Sequence, residues 1–269
     1  VKIMFEAFYE CTRTPFSREI PTEELYLSGM LEETLGRLRY AAANQLFAVL
    51  TGDCGTGKTT TVRKLRDSLD DSKYILLYLT DSQLTPRHFY NGLLSQLGRE
   101  GAFYRGDARR KLHNEIELIR GLQKLNLVVV VDEAHLLNKE MLEEVRFLLN
   151  FKMDAVSPLA LILVGQSELW NRLELKSFTA IRQRIDIRCR LATYDRAETG
   201  SFITRQLEFA GVSKPIFTEA AINEIFTFSA GAPRLINKLC TNCLIYGATG
   251  KHRLIDDHMV RLVIDGEMS

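Results

Sequence analysis

Two regimes of apolar patterning divide the chain. Up to about residue 190, short apolar runs alternate with stretches whose apolar residues recur at three- and four-residue spacing, so strands alternate with amphipathic helices. The runs Leu46 to Thr51, Tyr74 to Thr80, Leu127 to Val131, Leu159 to Val164 and Ile185 to Leu191 predict five strands. Leu127-Val128-Val129-Val130-Val131 is nearly all β-branched with no polar alternation, as a strand buried on both faces must be. Leu31, Leu35, Leu38 and Ala42 mark a helix before the first strand, and Val62, Leu65 and Leu69 one after it. Thr85-Pro86 supplies an N-cap and a first-turn proline for a helix carrying Phe89, Leu93, Leu94 and Leu97. This alternation predicts an α/β fold with a parallel sheet flanked by helices. Past residue 194 the pattern turns helical. Asp195 and Glu198 form a capping-box start, Phe202, Ile203, Leu207 and Ala210 an apolar face, and Gly211 a stop. Further helices are expected near 219–229, 232–248 and 256–266. The expected divisions are 1–45, a core over 46–194, and a small helical subdomain over 195–269.

Composition narrows the partners. The 35 Lys and Arg nearly balance the 34 Asp and Glu, leaving a net charge of +1, so a nucleic-acid surface would have to be a local patch. The longest apolar runs fall far short of the roughly 20 residues that span a bilayer. The N-terminal residues lack a signal-peptide pattern, with Glu6 and Glu10 intruding early. No membrane contact and a cytoplasmic location are therefore expected. The five scattered cysteines suit a reducing compartment, and Cys240 and Cys243 read as small apolar residues on a packed helix.

The chemistry concentrates in five places. Gly52-Asp53-Cys54-Gly55-Thr56-Gly57-Lys58-Thr59 matches G-x-x-x-x-G-K-[ST], between an apolar strand and a helix, where such a loop works. Its glycines let backbone N–H groups curl around phosphate oxygens, and the helix N-terminus adds partial positive charge. Lys58 then reaches the β and γ phosphates, and the Thr59 hydroxyl takes Mg²⁺. Asp132 and Glu133 follow the four-valine run, at the carboxyl end of a central strand. Asp132 can hold Mg²⁺ and Glu133 can orient or deprotonate a water, which favours ATP hydrolysis over passive binding. Gln166, leaving the next strand, can bond the γ-phosphate or the water, or be a loop residue with no role. Between Arg172 and Arg190, six basic residues face two acidic ones. Either this is a solvated strand edge, or Arg184 or Arg182 projects into a neighbouring subunit's nucleotide. Gly231-Ala232-Pro233-Arg234 opens a helix; Arg234 can fold onto the nucleotide or simply follow a helix-start proline.

A phosphate loop, an Asp-Glu pair, a polar sensor, a pre-strand arginine and G-x-P-R in a helical lid, in this order, resemble an AAA+ P-loop ATPase. Thr14-Pro15-Phe16-Ser17, Leu25-Tyr26-Leu27-Ser28, Leu50 to Thr60, Val131-Asp132-Glu133-Ala134-His135, Leu148-Leu149-Asn150-Phe151, Leu163 to Leu169 and Gly231 to Asn237 resemble, more closely, the ExeA/GspA-like family. Its relatives include transposition regulators of the phage Mu B, TniB and TnsC type. The resemblance implies an AAA+ core with a C-terminal helical lid, ATP or ADP held by Gly52 to Thr60, and Mg²⁺ on Thr59 and Asp132. It further implies Glu133 and Lys58 as catalytic residues, Gln166 and Arg234 as sensors, Arg184 or Arg182 as an arginine finger, and residues near Pro15 to Leu27 around the adenine. His135 stands where the family has glutamine, which implies either a changed sensing contact or an inert helix-start residue.

With neither a membrane span nor a wall-binding region in the 269 residues, the favoured expectation is an oligomerising, ATP-dependent regulator of DNA transposition. It would form a ring or filament on double-stranded DNA and recruit or stimulate a transposase. A second basic cluster, Arg105, Arg109, Arg110 and Lys111, offers modest support, although a solvated helix face explains it as well. The alternatives are the ATPase domain of a type II secretion accessory protein and a nucleotide-gated interaction switch.

Overall fold

The computed structural model describes residues 4–80, 85–149 and 157–268. Asn150 and Phe151, which end one of the sequence motifs, lie outside the described residues. Compactness separates two units. One comprises Met30–Asp53 and Lys58–Leu191; the other comprises the chain up to Gly29, Cys54–Gly57 and everything from Ala192.

The first unit is built on a parallel five-stranded sheet of order β2-β3-β4-β1-β5, with β1 Phe47–Gly52, β2 Tyr74–Leu79, β3 Asn126–Val131, β4 Ala160–Gly165 and β5 Ile187–Leu191. The three central strands are the all-apolar runs of the sequence. Every residue of β1 and β4 is buried, as is every residue of β3 after Asn126, because helices cover both faces. The edge strands β2 and β5 alternate in burial instead. Four of the five strands both begin and end within a residue of the expected limits. β5 starts two residues late because Arg184 N and Ile185 N still bond back to Ile181 O and Arg182 O in a turn. Asp186 then opens the β1 ladder, its carboxylate accepting from Phe47 N at 2.9 Å.

Ahead of β1 in the chain come α1 (Met4–Phe8) and α2 (Gly29–Asn44); between β1 and β2 runs α3 (Lys58–Ser68), and between β2 and β3 run α4 (Pro86–Gln96) and α5 (Arg105–Leu118). The Thr85 hydroxyl accepts from His88 N, the expected cap, with Pro86 in the first turn. After β3 comes α6 (Lys139–Leu148), and after β4 comes α7 (Ser167–Leu173). Phe89, Tyr90, Leu93 and Leu94 of α4 and Leu112 and Ile116 of α5 are sealed against Leu127, Val129 and Val131.

In the second unit, α8 (Arg196–Phe209), α9 (Glu219–Ser229), α10 (Pro233–Gly250) and α11 (Asp257–Val263) enclose a second core. The capping box is present: Asp195 Oδ1 accepts from Glu198 N and Glu198 Oε2 accepts from Asp195 N. Phe5, Tyr9, Cys11 and Phe16 from the N-terminal segment are buried in this core, and Phe16 N donates to Gln206 Oε1 at 3.1 Å. Cys240 and Cys243 lie on the buried face of α10 as free thiols; burial pushes both up, that of Cys243 to about 12, so they behave as apolar residues.

Candidate functional site

Parallel strands bring their carboxyl ends to one edge of the sheet, and the expected phosphate loop and acid pair both leave the sheet there. Gly55 (φ +82°) and Gly57 (φ +96°) take left-handed conformations that L side chains adopt only at a cost, which is what lets the loop curl before α3 starts at Lys58. Lys58 is largely buried. Its ammonium donates to Gly52 O at 2.8 Å and Asp53 O at 2.9 Å, so the loop's own carbonyls hold it at the start of α3.

Thr59, one residue on, joins the acid pair. Its hydroxyl donates to Asp132 Oδ2 at 3.1 Å, and Tyr78 Oη of β2 donates to the same oxygen at 2.6 Å. Asp132 Oδ1 accepts from Glu133 N at 2.8 Å. Asp132 is 4% exposed, and all three donors are neutral. Burial, and then the Asp132 charge, push the Tyr78 phenol well above its ordinary value, so it stays a protonated donor. A hydroxyl and a carboxylate 3.1 Å apart are hard oxygen donors that fit Mg²⁺. Among the described residues no group of three or more His, Cys, Asp and Glu could hold a metal alone, so this pair would share the ion with phosphate oxygens and water.

Glu133 sits at φ +52°, ψ +30°, a left-handed conformation costing a non-glycine residue on the order of 1–2 kcal/mol. This kink turns the chain away from β3, leaving the Glu133 side chain partly exposed, with Oε2 3.4 Å from His135 Nδ1. Gln166 caps α7, and its N–H lies 3.5 Å from the same imidazole nitrogen. Ser167 Oγ donates to Asp53 Oδ1 at 2.6 Å, tying the start of α7 to the phosphate loop. His135 thus stands between Glu133 and the Gln166 backbone.

In the other unit, Arg234 is placed at the loop tip. Its N–H donates to Gly55 O at 3.3 Å and its guanidinium lies 3.4 Å from Cys54 Sγ. A Cβ on Gly55 would come within 2.9 Å of Arg234 Cβ, so glycine is required for that approach as well as for its φ.

Arg182 and Arg184 are elsewhere. They precede β5, at the amino-terminal edge of the sheet, and the length of β1 separates them from the carboxyl edge by roughly 17 Å. Arg182 donates to Glu174 O at 3.0 Å. The surrounding basic stretch is partly spent on internal contacts. Arg172 donates to His135 O and Leu137 O, and the Arg188 guanidinium lies 3.8 Å from the Trp170 ring centroid. In the second cluster Arg105 pairs with Glu140 and Glu144, and Arg110 with Asp107. The expectation of a free basic surface is weakened accordingly.

Sequence reasoning missed Tyr78. The signal lies in strand register: Tyr78 pairs with Val130, and Asp132 follows Val130 by the two-residue period that returns a side chain to the same face.

A family model described as an AAA domain matches residues 41–173. The chain is 33% identical over 260 residues to general secretion pathway protein A of Aeromonas hydrophila, covering 94% of this chain and 46% of that protein. It is 28% identical over 137 residues to the ATP-dependent target DNA activator B of Escherichia phage Mu, covering 51% and 40% respectively. The chain therefore spans less than half the length of the curated relatives it matches. Among solved structures, Drosophila ORC bound to DNA superposes with a TM-score of 0.70 at 17% identity, covering 100% of this chain and 67% of that one, a likeness of fold. No helix among the described residues is long and apolar enough to cross a membrane. With its phosphate loop, parallel sheet order and acid pair, the chain belongs to the AAA+ P-loop ATPases.

Proposed function

We propose that the chain is a magnesium-dependent ATPase of the cytoplasm that turns over as a homo-oligomer and regulates DNA transposition, binding duplex DNA in its ATP state and recruiting or stimulating a transposase. The observation that carries the catalytic part is the meeting of Thr59, Asp132 and Glu133 at one edge of the sheet. Gly52 to Thr60 would cradle the phosphates with backbone N–H groups, while Lys58 exchanges its loop carbonyls for phosphate oxygens. Thr59 and Asp132 would hold the ion, which when bound neutralises phosphate charge. Glu133 would take the proton of the attacking water, Gln166 would orient that water, and Arg234 would contact the nucleotide from the loop tip. Residues near Pro15 to Leu27 would surround the adenine. Arg184, with Arg182 beside it, would act on a neighbour's nucleotide; its place at the opposite edge of the sheet supports action in trans.

The DNA part is supported by likeness to a protein named as a target DNA activator, over about half of the chain. A second reading, an accessory ATPase of a secretion pathway, is favoured by the longer likeness to general secretion pathway protein A. Gel shift with duplex DNA, with and without a non-hydrolysable ATP analogue, separates them. Analogue-dependent retention that falls steeply with salt is expected; no retention at low salt removes the DNA reading and leaves the secretion one. The oligomer is tested by ATPase rate per subunit, which should rise with protein concentration and fall by about 10³-fold in Arg184→Ala. A concentration-independent rate, unchanged in Arg184→Ala, removes the trans arginine.

A further inference from the structure

Asp132 is held at both of its carboxylate oxygens, and one of its donors lies outside both the phosphate loop and the acid pair. Its Oδ2 accepts from Thr59 at 3.1 Å and, at the shorter distance of 2.6 Å, from the Tyr78 phenol; its Oδ1 accepts from Glu133 N. Tyr78 is itself held in an unusual way. β2 is an edge strand, so among the described residues no further strand pairs with the outward backbone groups at Tyr78. The carboxamide of Gln96, near the end of α4, takes that place: Tyr78 N donates to Gln96 Oε1 at 2.9 Å and Gln96 Nε2 donates to Tyr78 O at 2.9 Å. One side chain thus completes the ladder at the residue whose phenol reaches the acid.

We propose that Tyr78 is a positioning residue for the cation site. Its phenol fixes the Asp132 carboxylate in the orientation that meets Thr59, the pair that would ligate Mg²⁺, and Gln96 fixes Tyr78. The chain of action runs from α4 through the edge strand to the acid and ends at the hydroxyl of α3. Tyr78 is only partly buried. Water could satisfy its hydroxyl there, and Thr59 still donates to the same Asp132 oxygen. The bond is therefore worth most as orientation, and an outer partner that orients a metal ligand typically contributes 10–100-fold in metal affinity.

This inference rests on the magnesium-nucleotide reading of the site, and the test separates the two. Titration calorimetry of ADP binding would be run across a Mg²⁺ series and in EDTA, on the wild-type chain and on Tyr78→Phe and Gln96→Leu. In EDTA, Tyr78→Phe should match wild type within about twofold, while the Mg²⁺ concentration giving half of the full affinity rises about tenfold. Gln96→Leu should shift it in the same direction by less. In turnover, the Mg²⁺ requirement of Tyr78→Phe should rise while kcat at saturating Mg²⁺ stays within about twofold, because the phenol touches no reacting atom. An unchanged Mg²⁺ midpoint overturns the inference, as does an equal loss of affinity with and without Mg²⁺, which would make Tyr78 a structural residue. A wild-type chain whose ADP affinity ignores Mg²⁺ removes the magnesium reading itself, and this inference with it.

Discussion

Asp132 and Glu144 are both nearly sealed from solvent, at 4% and 1% exposure, and each accepts a hydrogen bond from a tyrosine 54 positions upstream, Tyr78 and Tyr90 respectively. They differ in what meets the charge. Glu144, on α6, gives its second oxygen to the Arg105 guanidinium of α5, so the pair is neutralised within the fold and staples three helices together. Asp132 is met by a phenol, a hydroxyl and an amide, and no salt bridge joins it among the described residues. A buried carboxylate served only by neutral donors is costly. Burial and a tyrosine therefore do not distinguish a structural acid from a ligand; the presence or absence of a built-in counter-charge does.

The strongest way to sharpen this contrast is beside the uncompensated acid. Glu133→Gln should keep nucleotide binding and lower phosphate release by about 10²- to 10⁴-fold, since the amide cannot accept the proton of water. Turnover unchanged in this variant would place water activation elsewhere. Next in size, Asp132→Asn should weaken the Mg²⁺-dependent part of ADP affinity by about 10- to 100-fold and leave the melting temperature level or higher, because a buried charge that no salt bridge among the described residues offsets has been removed. A clear fall in melting temperature would mean that Asp132 is compensated in the fold as Glu144 is.

On the closed side the expectation inverts. Arg105→Ala leaves Glu144 buried without its cation and should cost about 3 kcal/mol of stability, read by urea unfolding, with ATPase activity per folded molecule unchanged. Arg105 is about half exposed, and a loss well under 1 kcal/mol would show that Glu144 is satisfied by Tyr90 and water alone, erasing the distinction.

How far the sequence foretold this depended on whether a contact is local. Lys58, Thr59, Asp132 and Glu133 were readable because the loop and the strand end each carry their chemistry within a few residues, and the sheet topology brings carboxyl ends together. The three central strands were readable because burial on both faces demands apolar runs, and the two edge strands because they take their turn in the alternation of strands with helices. Tyr78 was not readable, because its bond to Asp132 depends on register between two strands and on a glutamine from α4 completing an edge. The basic stretch from Arg172 to Arg190 was legible only as a charge count, for a related reason. Counting charge cannot show that Arg172 is spent on the carbonyls of His135 and Leu137, or that Arg188 is stacked on Trp170.

The smallest expected effect comes from making the same deletion on both sides. Tyr90→Phe removes a fully buried hydroxyl and leaves a Glu144 oxygen short of a donor, so about 1 kcal/mol of stability should be lost at neutral pH. Tyr78→Phe removes a partly buried hydroxyl from an oxygen that Thr59 still serves, and its stability change should be smaller still. Alkaline pH gives a second reading of the Tyr90 bond. Burial, and then the hydrogen bond to Glu144, raise the folded Tyr90 phenol well above 10. The unfolded chain therefore gives up this proton first as pH climbs past 10, and stability contributed by the phenol, complete below that pH, drains away above it. The gap between wild type and Tyr90→Phe in urea unfolding should accordingly narrow from pH 9 toward pH 11. A gap that widens would mean the phenol is easier to ionise in the folded protein than in the unfolded chain, which is incompatible with a carboxylate held against it.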